Sequence, residues 1–368
     1  MDQKIRVGII FGGRSAEHEV SLQSAKNIIE AIDRQKFDVT LIGIDKAGRW
    51  MLQDETDYLL NADNPKTIAL QPSKRELGLA PGGAAGPKLI DIANPNAILP
   101  VDVIFPVLHG PFGEDGTVQG LLKLAGIPFV GASVLGSSVG MDKDVMKRLL
   151  RDAGILIADF VVLHKGKAAS LDFEQIRKRL RLPFFIKPAN LGSSVGIHKV
   201  HSESEFYSAI EDAFLFDQKI IIEENIEGRE IECSVLGNEQ PIASLAGEII
   251  PKHEFYSYDA KYIDDVGALL NIPAELPEDK MIEVQSLAVK TYEVLCCEGM
   301  ARVDFFLKEN GELLVNEINT IPGFTKISMY PKLWEVSGLP YSNLLERLIE
   351  LALDRHAQEQ RLKTNQLR

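Results

Sequence analysis

Apolar positions near the start of the chain follow first one periodicity and then another. Residues 7–11 form an unbroken apolar run that Gly12 and Gly13 end, which predicts a buried strand followed by a tight turn. The next apolar positions recur every three or four residues, as on one face of a helix: Leu22, Ala25, Ile29 and Ile32. Residues 39–44 have the pattern of a second strand. A strand, a helix and a strand in this order predict a parallel sheet.

The remaining pattern divides the chain into three predicted units. We expect an N-terminal parallel α/β domain at residues 1–131, a central domain at 132–227 and a C-terminal domain at 228–368. Residues 72–100 are rich in Pro and Gly and predict a loop-rich excursion from the first domain. Further strands are predicted at residues 101–107, 160–163, 184–187, 219–223, 231–236, 242–249, 300–307 and 312–318, with helices at 118–125, 144–153 and 280–296.

Charge and cysteine content narrow the class of partner. Forty Lys and Arg residues against 53 Asp and Glu give a net charge of −13 over 368 residues. A field of this sign repels polyanions, so we expect no nucleic-acid partner. The three cysteines indicate neither a disulfide framework nor a zinc site. We find no signal-peptide pattern and no apolar run near the ~18 residues of a membrane span, so we expect a cytoplasmic protein with no membrane partner.

A predicted hairpin gathers charged residues on one face. A two-residue loop at Asn310-Gly311 would set Asp304 opposite Glu317 and Arg302 opposite Asn319. Alternation along the strands would put all four on one side and the apolar residues on the other, namely Val303, Phe305, Leu307, Leu314 and Ile318. Two carboxylates and an amide oxygen are hard ligands that suit Mg²⁺ together with substrate phosphates. The alternative is a solvated outer face that Arg302 neutralises.

A second candidate site is the glycine-rich segment at residues 187–196, KPANLGSSVG, between two predicted strands. Small residues allow backbone N–H groups to approach phosphate oxygens, although a plain glycine-rich turn is the alternative. The segment lacks the G-K-[ST] of a Walker A loop, and the early Gly12-Gly13 turn lacks a full dinucleotide fingerprint. Lys187 ends a strongly apolar strand and Lys143 begins a helix, so both could line the same cleft.

Several motifs together resemble those of the D-alanine–D-alanine ligase family. HGPFGEDG at residues 109–116, followed by TVQG, resembles the first signature of the family. GMARVD at 299–304 and NEINTIPG at 316–323 resemble the second, and FGGRSAEHEVSL at 11–22 resembles the amino-terminal motif. The matches extend from about residue 5 to about residue 350, nearly the whole chain.

The resemblance implies a three-domain ATP-grasp fold, which combines α/β and α+β units and binds ATP between two of them. By position in the motifs, Lys143 and Lys187 would bind ATP phosphates, as would Lys261 from a loop that closes over the site. Glu223 and the backbone near Ile226 would meet the adenine, and Glu230 the ribose. The metal ligands for Mg²⁺ or Mn²⁺ would be Asp304, Glu317 and Asn319.

The resemblance also implies where two D-alanine molecules bind. Glu17 would receive the ammonium group of the first, with Ser193 and Tyr262 as its hydrogen-bonded partners and His109 orienting the same substrate. Arg302 and the N–H of Gly323 would stabilise an oxyanion. The carboxylate of the second D-alanine would lie at Ser328 and Met329.

The family reaction supplies D-alanyl-D-alanine for peptidoglycan, and its members suggest a homodimer. Two alternatives remain open from the sequence. A depsipeptide ligase would take D-lactate as second substrate, and Tyr262 favours an amine nucleophile instead. A non-catalytic ATP-binding protein of the same fold would have no need of the complete set of site residues.

Overall fold

The computed structural model describes residues 4–80, 88–193, 195–251 and 268–363. Its first sheet has the strand order β3-β2-β1-β9. The predicted parallel sheet is confirmed, because β1 (Ile5–Gly12) pairs in parallel with both β2 (Phe37–Ile44) and β9 (Val103–Val107). The strand β3 (Trp50–Gln53) adds an antiparallel edge, and the predicted helix α1 (His18–Ala31) connects β1 to β2.

The excursion before β9 is more ordered than its Pro and Gly content predicts. Our expectation of a loop-rich segment at residues 72–100 is wrong in part, because three antiparallel strands form there. These are β6 (Leu77–Ala80), β7 (Lys88–Asp91) and β8 (Asn94–Leu99), and a small pair, β4 (Leu59–Leu60) with β5 (Ala69–Leu70), precedes them. Leu77 and Leu89 pack against the first sheet, a tertiary contact that local composition does not reveal.

Three helices connect the first sheet to the second. They are α2 (Thr117–Ala125), α3 (Val134–Met141) and α4 (Lys143–Asp152). Gly126 follows α2 with a φ of +74°, a left-handed conformation that costs glycine little and commonly ends a helix. The side chain of Asp142 caps α4 by accepting from the N–H groups of Asp144 and Val145.

The second sheet is antiparallel, with the order β10-β13-β11-β12. Its strands are β10 (Phe160–His164), β11 (Phe184–Pro188), β12 (His198–Val200) and β13 (Lys219–Glu224). A 3-10 helix (Lys165–Ser170) and two α-helices, α5 (Phe173–Leu180) and α6 (Glu203–Phe216), belong to the same part of the chain. The core between sheet and helices contains three aromatic rings in mutual contact: Phe173, Phe184 and Phe206.

The third sheet is also antiparallel, with the order β16-β15-β14-β17-β18. Its strands are β14 (Arg229–Gly237), β15 (Ile242–Pro251), β16 (Ala268–Asn271), β17 (Gly299–Leu307) and β18 (Leu313–Asn319). Helix α7 (Glu278–Val294) packs on one face and buries Val284, Ala288 and Tyr292. No helix in the described ranges is both long and apolar enough to cross a membrane.

Two hydrophobic cores extend beyond the predicted unit boundaries. The last helices, α8 (Met329–Val336) and α9 (Tyr341–Gln360), pack in one cluster with the N-terminal sheet. Helix α4 contributes Met146 and Leu150 to the core of the third sheet. The C-terminal part of the chain is thereby attached directly to the first sheet.

Arg355 adds a polar attachment between α9 and the N-terminal region. Its guanidinium donates to the carbonyls of Gly131 and Phe129 at 2.6 and 2.7 Å, and it lies over the Phe129 ring at 4.7 Å from the centroid. The Arg355 side chain is buried, so bulk water does not compete for the two carbonyls.

We therefore expect Arg355→Met to destabilise the protein by roughly 2–4 kcal/mol, because two buried carbonyls lose their donors. The measurement is the midpoint of urea unfolding, and the slope of the unfolding free energy against urea concentration should stay unchanged. Arg347→Met is the matched control, since the ion pair of Arg347 among the described residues of the same helix is an exposed one with Glu350, and its loss should cost less than about 0.5 kcal/mol. Equal losses of stability from the two substitutions would contradict the role of Arg355 in attaching α9 to the N-terminal region.

Candidate active site

The turn between β17 and β18 differs from the predicted one. The N–H of Lys308 donates to the carbonyl of Glu312 at 3.0 Å, so the loop contains the three residues 309–311. Gly311 ends it with a φ of +85°, which glycine adopts readily. The prediction of a two-residue loop at Asn310-Gly311 is therefore wrong, and the pairs next to the turn are displaced by one residue.

A bulge farther along β18 restores the predicted register where the charged residues lie. The pairing shifts after Asp304, and Asn316 is the extra residue on β18. Glu317 consequently lies opposite Asp304, and Asn319 opposite Arg302, as predicted. The site pairs are correct because two deviations from a regular hairpin cancel.

The same displacement changes which residues face the core. Leu314, which we predicted on the apolar face, lies opposite Phe306 and on the side of the charged residues. Leu313 and Val315 take its place in the core of the third sheet. A one-residue change of register reverses the face of every side chain between turn and bulge.

The charged face of the hairpin is enclosed. Arg302 donates to both carboxylate oxygens of Asp304 at 2.7 and 2.6 Å and lies 2.9 Å from a Glu232 oxygen. Lys143 lies 3.3 Å from Glu317, and Asn319 donates to Asp304 at 2.9 Å. Only 13% of the Asp304 side chain and 23% of the Glu317 side chain are exposed, which disfavours the alternative of a solvated outer face.

Two neighbouring cavities meet at this hairpin. The first, called the acidic cavity, is lined by the predicted residues Glu17, His109, Ser193, Arg302, Glu317, Asn319, Gly323, Ser328 and Met329. The second, called the lysine cavity, is lined by the predicted residues Lys143, Lys187, Ser193, Glu223, Ile226, Glu230 and Glu317. Gly192, Ser193 and Glu317 line both, so the cavities are contiguous.

Glu17 connects the start of the chain to the glycine-rich segment. It lies immediately before α1, is buried, and accepts a hydrogen bond from the hydroxyl of Ser193. Ser193 itself has a φ of +51°, a left-handed conformation that is uncommon for a residue with a side chain. Such a conformation is characteristic of functional sites, where the surrounding structure enforces it.

The oxygen-rich acidic cavity contains two carboxyls that our reading of the sequence missed, Glu114 and Glu232. Glu114 accepts from the N–H groups of Gly110 and Ile321 at 2.7 and 3.1 Å. Burial, together with the negative charge of Glu17, raises the pKa of Glu114 to about 8. The motif at residues 109–116 includes Glu114, but only the fold brings it near Glu17.

His109 is saturated by protein groups. Its Nδ1 donates to the carbonyl of Ile321 at 3.0 Å, and its Nε2 lies 3.1 Å from the hydroxyl of Ser24. Burial lowers the pKa of His109 to about 4, so the ring is neutral and Nε2 accepts from Ser24. Direct contact of His109 with a ligand would require one of these bonds to break, and its geometry favours an indirect role.

The segment after β18 is held by side chains of the N-terminal region. His109 and Glu114 bind the carbonyl and the N–H of Ile321. Ser24 accepts from the N–H of Phe324 at 3.2 Å, and Asn27 donates to its carbonyl at 3.0 Å.

The same segment presents one backbone donor to the acidic cavity. Pro322 has no N–H, and within the described ranges no group accepts from the N–H of Gly323. A Cβ at Gly323 would lie 2.6 Å from the hydroxyl of Ser328, so a larger residue there would require the Ser328 side chain to move. Gly323 and Arg302 line the same cavity, and a backbone N–H together with a guanidinium is a donor set suited to stabilising an oxyanion.

Three lysines line the second cavity together with four glutamates: Lys143, Lys187 and Lys199, and Glu223, Glu224, Glu230 and Glu317. The Nζ of Lys143 donates to the carbonyl of Leu191 at 2.8 Å, which holds it against the glycine-rich segment. Lys187 forms an ion pair with Glu223, whose other oxygen pairs with Lys147. Lys147 was missed in our sequence analysis, although its position four residues after Lys143 puts it on the buried side of α4.

Two predicted residues, Tyr262 and Lys261, lie outside the described residues, as does the rest of the predicted closing loop. Cation ligation by Asp304, Glu317 and Asn319 is compatible with the donor set, because all three carry hard oxygen atoms on one enclosed face. The described ranges contain no cluster of three or more His, Cys, Asp or Glu side chains arranged for a metal. The amide of Asn319 would therefore have to complete the set.

We expect Glu114→Gln to change how stability depends on pH. A carboxyl whose pKa is higher in the folded protein contributes stability that is fully present below its ordinary pKa of 4.5 and is lost as the pH rises from there to about 8. The urea midpoint of the variant, relative to the unmodified protein, should therefore increase as the pH rises from 4.5 to about 8 and stay level above that. Glu309→Gln on the exposed hairpin turn is the control, and parallel pH profiles for all three proteins would contradict the assignment.

Comparison with known proteins identifies relatives over nearly the full length. The family model described as D-ala D-ala ligase N-terminus matches residues 6–132, and the one described as D-ala D-ala ligase C-terminus matches residues 149–350. A D-alanine–D-alanine ligase of Shouchella clausii is 57% identical over 362 residues, which cover 98% of each chain.

Solved structures agree with this match. The D-alanine–D-alanine ligase of Coxiella burnetii is 40% identical, with a TM-score of 0.82 over 97% of this chain and 96% of that chain. The VanG D-Ala:D-Ser ligase of Enterococcus faecalis is 38% identical, with a TM-score of 0.83 over 95% of this chain and 100% of that chain.

Proposed function

The chain belongs to the D-alanine–D-alanine ligase family, and we propose that its two contiguous cavities are where ATP and D-alanine react. It has the mixed α/β ATP-grasp fold of that family and is an ATP-dependent ligase that joins D-alanine to D-alanine for peptidoglycan. The observation that supports the site assignment is the shared wall of Gly192, Ser193 and Glu317, which lets a phosphoryl group in the lysine cavity reach a carboxylate in the acidic one.

ATP would occupy the lysine cavity. Lys143 and Lys187 would bind its phosphates, and Lys261 would join them when the loop closes. Glu223 and the backbone of Ile226 would meet the adenine. Glu230, on the same wall, would bind the ribose. Ammonium groups that are largely buried bind phosphate more strongly than exposed ones, since water screens them less.

Asp304, Glu317 and Asn319 would hold Mg²⁺ or Mn²⁺ between the two cavities. When bound, the metal would neutralise charge on the phosphoryl oxygens. The bidentate contact of Arg302 with Asp304 would have to loosen for Asp304 to ligate a cation. The released guanidinium would then be available to the substrate.

The first D-alanine would lie in the acidic cavity. Glu17 would receive its ammonium group, with Ser193, Tyr262 and His109 maintaining that arrangement. Its carboxylate oxygen attacks the γ-phosphorus, a new O–P bond forms as the β–γ bond breaks, and ADP leaves. The acylphosphate that results is a better acyl donor than the carboxylate, and a closed site protects it from water.

The second D-alanine would bind at the N-terminus of α8. Ser328 precedes this helix and Met329 begins it, so backbone N–H groups there favour a carboxylate. Its amine, after losing a proton, attacks the carbonyl carbon, and the C–O bond to phosphate breaks as the C–N bond forms. Arg302 and the N–H of Gly323 would stabilise the negative oxygen of the tetrahedral intermediate.

Three further proposals concern organisation. We propose that the protein is located in the cytoplasm and forms a homodimer. Helices α2 and α3, which pack together, offer apolar surface for a dimer contact through three exposed leucines, Leu121, Leu124 and Leu135. We also propose unit boundaries at residues 131/132 and 227/228, because each separates the strands of one sheet from those of the next.

The proposal is tested by phosphate release from ATP and Mg²⁺ with D-alanine, L-alanine, D-alanine plus D-lactate, or D-alanine plus D-serine. We expect release to depend on D-alanine and mass spectrometry to identify D-alanyl-D-alanine. The D-serine arm is included because the E. faecalis neighbour is a D-Ala:D-Ser ligase. Absence of D-alanine-dependent release would contradict the function, and ATP binding without release would favour a non-catalytic protein.

Asp304→Asn should lower kcat by about 100-fold or more while the unfolding midpoint changes little, because it keeps the size of the side chain and removes one ligand charge. Raising the concentration of Mg²⁺ or Mn²⁺ should recover part of the activity. Glu309→Gln, at an exposed position of the same hairpin, should leave both quantities unchanged. Loss of folding in Asp304→Asn would instead make Asp304 a structural residue.

A further inference from the structure

Lys147 is a fully buried lysine that has no part in the function proposed above. Its side chain is 0% exposed, on the inner side of α4. It does not line the lysine cavity, whereas Lys187 and Glu223 do. Among the described residues, Glu223 is the acid with which it forms an ion pair.

Glu223 joins the two lysines. One carboxylate oxygen pairs with Lys147 behind the cavity wall, and the other pairs with Lys187 at the cavity. Burial by itself would raise the pKa of Glu223, but the two ammonium groups outweigh it and hold the pKa below its ordinary value. Burial lowers the pKa of Lys147, and the facing carboxylate of Glu223 opposes that effect, so the ion pair with Glu223 is what favours the ammonium form of Lys147. With both lysines protonated, the cluster contains one negative and two positive charges, and the excess positive charge lies on Lys187 at the cavity.

We propose that Lys147 is a positioning residue that neutralises Glu223 from behind and leaves the charge of Lys187 available to the phosphates of ATP. This inference rests on the proposed ATP site. Without Lys147, Glu223 and Lys187 would form a neutral pair. Glu223 would then hold Lys187 more firmly, and the excess positive charge that attracts an anion would be lost.

The test separates phosphate binding from adenine binding. The dissociation constants of ATP and of adenosine are measured by calorimetry for the full-length protein, and their ratio gives the gain in affinity that the phosphates provide. We expect Lys147→Met to reduce this gain roughly tenfold, the effect of cancelling one unit charge near a partly solvated ligand. Lys147→Gln should act in the same direction and serves if the methionine variant does not fold.

A double variant and a matched control sharpen the test. Lys147→Met combined with Glu223→Gln removes one charge of each sign, so the gain from the phosphates should return towards its original value. Arg355→Met is the control, because Arg355 on α9 is also a buried cation and lies 3.5 Å from Glu298, outside the lysine cavity. It should lower stability without changing the ratio.

The outcomes distinguish this inference from the proposed function. If the unmodified protein does not bind ATP, the proposed ATP site is wrong. If it binds ATP and both Lys147 variants keep the original ratio, Lys147 is only structural and the inference is overturned. A reduced ratio that the double variant does not recover would also contradict the charge argument.

Discussion

The attachment of residues 321–324 to the N-terminal region is the constraint on which the site depends. Strand β18 ends at Asn319, so the chain that carries the candidate metal ligands enters this segment directly. Side chains from the first third of the chain bind the backbone of Ile321 and Phe324, and the N–H of Gly323 is left facing the acidic cavity. A site assembled from distant parts of the chain thus has its backbone donor fixed by hydrogen bonds rather than by packing alone.

Charge balance is the second constraint. Five carboxylates, Glu17, Glu114, Glu232, Asp304 and Glu317, lie in or beside the acidic cavity, where Arg302 and Lys143 are the nearby cations in the described contacts. ATP adds further negative charge, and buried charges of one sign repel each other strongly. This balance supports the proposed divalent cation. Burial is the main cause of the raised pKa of Glu114, and the negative charge of Glu17 adds to it.

Elements with clear periodicity could be predicted from the sequence, and long-range contacts could not. The parallel start of the fold follows from an apolar run, a helical stripe and a second strand. The hairpin pairs Asp304–Glu317 and Arg302–Asn319 were predicted correctly although the turn was not, because the bulge at Asn316 compensates for the longer loop. The bonds from Ser24, Asn27 and Glu114 to residues 321–324 join positions more than 200 residues apart, which no local pattern encodes.

We propose that the first D-alanine is activated through its carboxylate in the cavity that Arg302 and Gly323 line. The most direct measurement supplies D-alanine labelled with ¹⁸O in its carboxylate, together with ATP and Mg²⁺, and analyses the released phosphate by mass spectrometry. An acylphosphate requires one labelled oxygen to pass from the carboxylate to each phosphate, since the C–O bond breaks when the amine attacks. Phosphate without the label, released at the same rate as dipeptide forms, would contradict the account.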